Sequence, residues 1–280
     1  MSLDPNMKEI TTMETPPIVS PQEWLAARKE LLAKEKELTR MRDRLNAERR
    51  RLPMVRVDKP YTFEGPNGTV GLLDLFEGRQ QLVMHHFMWI NDTDDDGVER
   101  PRDTGCPSCS SAADGIGNPR QLHARNTTLV AVTRAPYEKL AAFRERMEWT
   151  FPWYSSFESD FNYDFHATLD DRVAPVLLHF RTETELAEAG TPWTGGPWTE
   201  SMRGADLPGI SAFLRVGEEV FHTYSTFGRG IEEFHNGYPY LDLTALGRQE
   251  AWEEPKGRAV PLGLQVGGPA MRLPDEYDEA

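Results

Sequence analysis

Hydrophobic side chains recur every seven residues near the start of the chain. The repeat consists of Trp24, Leu31, Leu38, Leu45 and Leu52. A spacing of seven places these side chains on one face of a long helix. Ser20 is expected to cap that helix, Pro21 suits its first position, and Glu23 completes a capping box. Pro53 is expected to end it.

The rest of the chain carries short strand-like segments. Seven segments rich in apolar and β-branched residues predict strands, at 61–64, 69–73, 81–90, 127–133, 150–154, 210–216 and 220–224. The turn sequence Gly65-Pro66-Asn67-Gly68 joins the first two segments as a hairpin. A helix beginning at Pro136 separates the fourth segment from the fifth, which predicts a right-handed βαβ unit. Alternating strands and helices of this kind indicate an α/β fold.

Composition narrows the function classes. The 280 residues carry a net charge of −14, and their mean hydropathy is −0.58. An acidic chain without a strong basic patch is a poor candidate for binding nucleic acid or an anionic membrane. No apolar stretch approaches the roughly 20 residues of a membrane span, and residues 1–15 lack a secretory signal. We therefore expect a cytoplasmic protein, with neither nucleic acid nor membrane among its partners.

The predicted N-terminal helix differs in charge from the rest of the chain. Residues 28–51 carry ten Lys and Arg against five Asp and Glu, a net charge of +5, so the other residues hold −19. There are two interpretations. Either the positive charge docks the helix on an acidic body, or the charged residues simply form a solvated helix face. The apolar face needs a partner surface, either the body or a second copy. A homodimer through this arm, or a two-stranded coiled coil, is therefore among the expected assemblies.

The only two cysteines lie three positions apart, in Gly105-Cys106-Pro107-Ser108-Cys109. In a redox dithiol, Cys106 stands at a helix N-terminus, where amides and the helix dipole stabilise a thiolate, and Cys109 lies one turn on. In a zinc site, the pair needs two more ligands, because structural zinc takes four. The histidines that offer them are His85, His86 and His123. A third interpretation is an inert pair. The position after a buried strand and before a βαβ unit favours the dithiol.

Five segments carry a resemblance to a known bacterial family. They are Gly105–Ser110, Val130–Pro136, Trp149–Ser156, Asp160–Phe165 and Phe221–Gly230. Together they resemble the thioredoxin-like family of bacterial proteins of unknown function whose members are predicted dithiol-disulfide oxidoreductases. The resemblance spans about residues 20–250. It implies an α/β fold with a thioredoxin-like central sheet flanked by helices, to which the N-terminal helix is added as a long arm.

The residue pattern and the resemblance together predict a domain organisation. The expected parts are a disordered leader at 1–19, the helical arm at 20–53, the thioredoxin-like domain at 54–250 and an extended or disordered acidic tail at 251–280. The implied activity is thiol–disulfide exchange with a thiol or disulfide substrate. Cys106 attacks as a thiolate and Cys109 resolves the mixed disulfide. Neither a cofactor nor a metal is expected.

Two other functions stay open. One is a non-catalytic thioredoxin-like adaptor that retains its cysteines. The other is a peroxiredoxin-like peroxidase, whose signature spaces its residues as P-x-x-x-T-x-x-C. Here Pro101, Thr104 and Cys106 lie closer together than that signature requires. The spacing therefore disfavours the peroxidase.

A histidine is expected beside the dithiol. Thioredoxins carry a buried acid on the strand that leads into the active-site turn, and by the spacing to Phe87 this position falls on His86. Because successive strand residues face opposite sides, only one of His85 and His86 can point at the thiols. His86 is therefore predicted to exchange a proton with Cys109. A packed, hydrogen-bonded core histidine is the alternative.

Two more segments carry candidate chemistry. Asp92–Gly97 matches the first half of a calcium loop but lacks flanking helices, so a solvated acidic loop is the simpler interpretation. Residues 149–165 hold eight aromatic side chains. These aromatics either pack in the core or form an apolar wall beside the dithiol that receives a substrate.

Overall fold

The computed structural model describes residues 15–94, 99–190, 203–235 and 237–277. The chain divides into two compact units. The first contains the chain up to Pro53 together with Tyr238–Met271, and the second contains Met54–Gly237 together with the chain from Arg272 on. Among the described residues, no helix combines the length and the apolarity that crossing a lipid bilayer requires.

The first unit contains the predicted N-terminal helix, α1 (Pro21–Arg49). Its start is the predicted capping box: the Ser20 hydroxyl accepts from the Glu23 amide, and the Glu23 carboxylate accepts from the Ser20 amide at 2.9 Å. Two orphan amides of the first turn are thereby satisfied, which confirms the predicted helix start. The heptad side chains stay exposed, with Trp24 at 59% and Leu38 at 57%.

The leader and the tail are only partly described. Residues 1–14 of the predicted leader lie outside the described residues, and residues 15–20 have no regular structure. Along the predicted tail, residues 251–277 form turns and the short 3-10 helix Pro274–Glu276. The boundary proposed at residue 250 stays a prediction.

The second unit contains most of the secondary structure. Its strands in chain order are β1 (Val55–Arg56), β2 (Thr62–Gly65), β3 (Gly68–Gly71), β4 (Gln81–His86), β5 (Trp89–Thr93), β6 (Glu99–Gly105), β7 (Thr127–Thr133), β8 (Trp153–Ser155), β9 (Thr168–Leu169), β10 (Ala205–Asp206), β11 (Gly209–Val216) and β12 (Glu219–Phe227). Its α-helices are α2 (Pro107–Asp114), α3 (Arg120–His123), α4 (Tyr137–Arg146), α5 (Phe161–Asp164) and α6 (Glu183–Glu188). A short helix, α7 (Tyr238–Leu241), belongs to the first unit.

Eight of these strands form one mixed sheet, in the order β1-β12-β11-β4-β7-β8-β2-β3. The central strands β4, β7 and β8 are parallel, and the other neighbours pair antiparallel. Between β4 and β7 the chain passes through α2, which carries the cysteines, and the hairpin β11–β12 pairs on the far side of β4. This arrangement is a thioredoxin-like α/β fold, as the sequence predicted.

One predicted strand is divided in two. The segment 81–90 forms β4 and then leaves the central sheet, because β5 pairs with β6 in a separate two-stranded sheet. Phe87 and Met88 lie between the two strands. Apolar residues lie on both sides of the division, so the pattern does not mark the change of partner. The division matters because it places Met88 beside the cysteines.

The core of the second unit has two buried clusters. One contains Phe87, Cys109, Ala131 and Trp153. The other contains Leu82, Met84, Val130, Val132 and Phe161. Alternate residues of β7 enter different clusters, because successive strand side chains point to opposite faces. The two clusters therefore mark the two faces of the central sheet.

Candidate active site

The cysteine turn connects β6 to α2. Cys106 is the N-cap residue of α2 in an extended conformation, and Pro107 takes the first helical position. The Cys106 carbonyl accepts from the Ser110 amide and from the Ser110 hydroxyl, both at 2.9 Å, which begins the helix. A side chain at Gly105 would collide with the Phe87 ring, so only glycine lets the backbone pass so close to that ring. The predicted helix N-terminus at Cys106 is confirmed.

The two thiols differ in exposure and in acidity. Cys106 is half-buried and Cys109 is buried, and neither forms a disulfide. The thiol of Cys109 donates to the Cys106 sulfur, and the Ser108 and Cys109 amides add further hydrogen bonds, so the pKa of Cys106 falls to about 6 despite burial. That same hydrogen bond, burial and the neighbouring thiolate raise the pKa of Cys109 well above its usual range. Cys106 is therefore the more acidic of the two thiols.

The backbone of Met88 holds both cysteines. The Met88 carbonyl accepts from the Cys106 amide at 3.2 Å. The Met88 amide donates to the Cys109 sulfur, which opposes part of the rise in its pKa. Because Met88 directly follows the strand exit at Phe87, the end of β4 sets the position of the dithiol.

A carboxylate that the sequence pattern did not reveal lies near Cys109. The Asp206 carboxylate accepts from the Trp89 amide at 3.2 Å and from the Thr168 hydroxyl at 2.6 Å. Its negative charge contributes to the raised pKa of Cys109, after the Cys106 hydrogen bond, burial and the Cys106 charge. Asp206 lies far along the chain from the cysteines, just before β11, and no local motif surrounds it. Only the pairing of β9 with β10 and the position of Trp89 bring it to the site.

The structure corrects the prediction about His86. In the β4–β7 register, His85 lies opposite Ala131 and His86 lies opposite Val132. Ala131 belongs to the cluster that contains Cys109, whereas Val132 belongs to the cluster on the other face. His85 therefore shares the face of the dithiol and His86 does not. The spacing to Phe87 identified the wrong member of the pair, because it could not show which face α2 covers.

The environment of His86 matches the alternative of a packed, hydrogen-bonded core histidine. Its Nε2 bonds the Ser211 hydroxyl at 2.7 Å. The Ser211 hydroxyl bonds Ser225, and Ser225 bonds His222 Nε2, both at 2.6 Å. Burial, followed by the charges of His85 and His222, lowers the pKa of His86 to about 3. His86 is thus neutral at physiological pH, in a polar chain that crosses β4, β11 and β12.

His85 is buried without such partners. Neither of its ring nitrogens has a hydrogen-bond partner among the described residues. Burial and, to a smaller extent, the nearby His235 lower its pKa to about 4. The ring lies edge-on to Phe87, with centroids 5.9 Å apart. The face of the sheet behind the dithiol therefore contains a neutral imidazole.

The aromatic segment belongs mostly to the core. Trp149, Phe151 and Trp153 are buried in the cluster of Cys109, and the two indoles stack with centroids 5.0 Å apart. Phe161 packs in the other cluster and Phe157 is exposed. Trp149, Phe151 and Trp153 therefore fill the core and also lie in the same cluster as Cys109.

The candidate metal ligands are dispersed. Within the described part of the chain, no three His, Cys, Asp or Glu side chains lie together as a metal-binding group. The acidic loop lies partly outside the described residues. Of its described carboxylates, Asp92 pairs with Arg102, and Asp94 pairs with Arg100 at 2.7 Å. Arginines rather than a free set of oxygens therefore face these two carboxylates.

Structural comparison returns peroxiredoxins. Peroxiredoxin Q of Xanthomonas campestris is 10% identical, with 61% of this chain and 80% of that chain covered and a TM-score of 0.36. A PrxQ mutant of Xylella fastidiosa is 13% identical, with 68% and 94% covered and a TM-score of 0.37. Peroxidoxin BcpB of Mycobacterium tuberculosis is 11% identical, with 63% and 85% covered and a TM-score of 0.33. At such scores the likeness carries no argument, and the fold rests on the sheet order described above.

Sequence comparison identifies the family. The search of curated proteins found no match. The family described as bacterial protein of unknown function, DUF899, matches residues 13–277, which is nearly the whole chain. This span includes α1, the central sheet and the cysteine turn. The predicted membership of a bacterial family of unknown function is thereby confirmed, and the chain belongs to the DUF899 family of bacterial proteins.

Proposed function

We propose that the protein is a dithiol-disulfide oxidoreductase whose reactive pair is Cys106 and Cys109. The observation that carries this proposal is the divergence of the two thiols. Cys106 is half-buried at a helix N-terminus with a pKa of about 6, and Cys109 is buried with a raised pKa. A nucleophile needs a stabilised, accessible thiolate, and a resolving thiol needs to stay protonated until the mixed disulfide forms.

The reaction proceeds in two exchanges. The Cys106 thiolate attacks one sulfur of a substrate disulfide, forms a mixed disulfide and expels the other half as a thiolate, which takes up a proton. Cys109 then loses its proton and attacks the Cys106 sulfur, which releases the second half as a thiol. The substrate disulfide is reduced to two thiols, and the Cys106–Cys109 pair is oxidised. His86 has no part in these steps, because it lies on the other face of the sheet.

A single-turnover experiment tests the proposal. The reduced protein is mixed with bis(2-hydroxyethyl) disulfide, and the products are assigned by intact-mass spectrometry. We expect the wild type to form the intramolecular disulfide, Cys109→Ser to accumulate a mixed disulfide on Cys106, and Cys106→Ser to react slowly. A wild-type protein that remains reduced would favour the adaptor.

The same experiment is repeated with hydrogen peroxide as the oxidant. An oxidoreductase of this kind reacts faster with the disulfide than with peroxide at equal concentration. If Cys106 instead reacts much faster with peroxide and forms a sulfenic acid in Cys109→Ser, the peroxidase becomes the better assignment.

A further inference from the structure

One peptide group lies between the dithiol and a carboxylate. The Met88 carbonyl and the Trp89 amide belong to the same peptide bond, at the point where β4 has ended and β5 begins. The carbonyl accepts from the Cys106 amide at 3.2 Å, and the amide donates to the Asp206 carboxylate, also at 3.2 Å. Asp206 and Cys106 therefore bond the two ends of one planar group. The path of hydrogen bonds from Asp206 to the cysteine turn runs through this single peptide.

The Asp206 carboxylate is itself held by the strand pair that carries it. Its Oδ1 accepts from the hydroxyl of Thr168, which is buried and lies opposite Asp206 in the β9–β10 pair, at 2.6 Å. The Leu207 amide donates to the Ala167 carbonyl at 2.7 Å, which continues the same pairing. Oδ2 is the atom that accepts from the Trp89 amide. A hydrogen bond to an ionised acceptor is roughly twice as strong as a neutral one, so this contact holds the peptide firmly.

The Met88 amide matters more for Cys109 than for Cys106. The amides that stabilise the Cys106 thiolate belong to Ser108 and Cys109, inside the cysteine turn. Cys109, in contrast, accepts a hydrogen bond from the Met88 amide, and this bond lowers the pKa of Cys109 more than the Asp206 charge raises it. Because a resolving thiol attacks as a thiolate, the Met88 amide stabilises the form of Cys109 that the second exchange needs.

We propose that Asp206 is a positioning residue of the dithiol site, which holds the Met88–Trp89 peptide in the place from which it supports Cys109 during the exchange. This inference rests on the proposed function and adds a residue to it. Asp206 neither forms a bond nor accepts a proton: Cys106 attacks, Cys109 displaces the bound half of the substrate, and electrons and protons balance as described above. The contribution of Asp206 falls on the second exchange, because only that step uses the thiolate of Cys109.

A chromogenic disulfide separates the two exchanges. The reduced protein is mixed with dithiobis(nitrobenzoate) at pH 7 in a stopped-flow instrument, and the release of thionitrobenzoate is followed by its absorbance. The attack of Cys106 releases one thionitrobenzoate, and the attack of Cys109 on the mixed disulfide releases the other. The rate of the first release depends on the reagent concentration and that of the second does not, so each exchange has its own rate constant.

Two substitutions at Asp206 separate the hydrogen bonds from the charge. Asp206→Asn keeps an acceptor for the Trp89 amide and a donor for the Thr168 oxygen, whereas Asp206→Ala keeps neither. In Asp206→Ala we expect the second release to slow about tenfold, or about 1.4 kcal/mol, and the first to change by less than about threefold. In Asp206→Asn the second release should be at least as fast as in the wild type, since the charge that opposes the Cys109 thiolate is gone.

Asp74→Ala is the matched control. The Asp74 carboxylate accepts from the Gly71 amide at 2.8 Å, a bond of the same kind, in the segment between β3 and β4. Leu75, the next residue, packs in the cluster on the face opposite Cys109. This variant should leave both release rates unchanged. Circular dichroism and urea denaturation verify that each variant is folded under the assay conditions.

A second variant covers the case in which Asp206→Ala does not fold. Thr168→Val keeps the shape of a buried side chain and removes the hydroxyl that fixes the Asp206 carboxylate. We expect it to slow the second release about threefold, a part of the cost of one hydrogen bond, and to leave the first release unchanged. Wild-type rates in this variant would then overturn the inference.

The outcomes separate this inference from the function beneath it. If the wild type releases no thionitrobenzoate, or a single equivalent, the proposed function is wrong and the inference falls with it. If the wild type releases both equivalents and Asp206→Ala does so at wild-type rates, the function stands and the positioning role is overturned. Equal changes of the second release in Asp206→Ala and Asp206→Asn overturn that role as well, because the carboxylate then acts through its charge alone.

Discussion

The Nε2 atom of His86 and the hydroxyl of Ser211 lie 2.7 Å apart in a fully buried hydrogen bond. This contact joins β4 to β11 on the face of the sheet opposite Cys109. Phe161 and Phe227 also flank the His86 ring, each with centroids 6.0 Å away. Packing on both sides and a satisfied nitrogen make His86 a residue of the core.

Replacing His86 should therefore reduce stability and leave the thiols unaffected. His86→Ala removes a buried ring and leaves the Ser211 hydroxyl with one partner fewer, which should lower the free energy of unfolding by about 2–4 kcal/mol. Urea denaturation measures this change, and alkylation of Cys106 at pH 7 provides the second readout. A variant of wild-type stability whose alkylation rate changes tenfold would contradict the placement of His86.

His85 should make stability depend on pH. Its folded pKa of about 4 lies below the usual value of 6.5, so between these values the unfolded chain binds the extra proton. The free energy of unfolding then rises with pH by up to about 1.4 kcal/mol per unit and levels off above about pH 6.5. His85→Phe keeps a ring beside Phe87 and removes the proton site. The difference between the wild-type and variant unfolding curves at pH 4.5 and pH 6.5 measures the contribution, and equal slopes would exclude it.

The hydrogen bond between the two thiols should determine the acidity of Cys106. Alkylation of the reduced wild type should rise through a midpoint near pH 6 and be flat by pH 8, because the thiolate is then fully formed. Cys109→Ala removes the donor and should move the midpoint upward by about one pH unit, the size expected for one hydrogen bond to a charged group. Cys109→Ser keeps a hydroxyl donor and should move it less. Midpoints equal to that of the wild type in both variants would show that the amides alone stabilise the thiolate.

The exposed heptad face of α1 should mediate self-association. Leu31 and Leu38 are exposed at 51% and 57%, and a row of such side chains seeks a partner surface. We predict that Leu31→Glu with Leu38→Glu lowers the molar mass measured by light scattering from dimer to monomer. Lys29→Gln with Lys36→Gln changes the net charge by the same amount on the other side of the helix and should leave the mass unchanged. A wild type that is already monomeric would refute the role of the arm.

Local pattern was sufficient for a large part of this protein. The capping box at Ser20 and Glu23, the strand 127–133 and the hairpin around Gly65–Gly68 appear as the sequence predicted. Each feature depends on residues within a few positions of one another, so the local sequence is enough to predict it. The same holds for Cys106 at the start of α2, because an N-cap and the proline after it are local features.

Tertiary structure decided everything that depends on which elements pair. The residue pattern of segment 81–90 does not show that it divides into two strands at Phe87 and Met88. The division occurs because β5 pairs with β6 rather than with the central sheet. The choice between His85 and His86 depended on the face that α2 covers, since an alternating strand offers both. Asp206 reached the surroundings of Cys109 only through the pairing of β9 with β10 and its contact with the Trp89 amide, and no spacing in a single sequence encodes such a meeting.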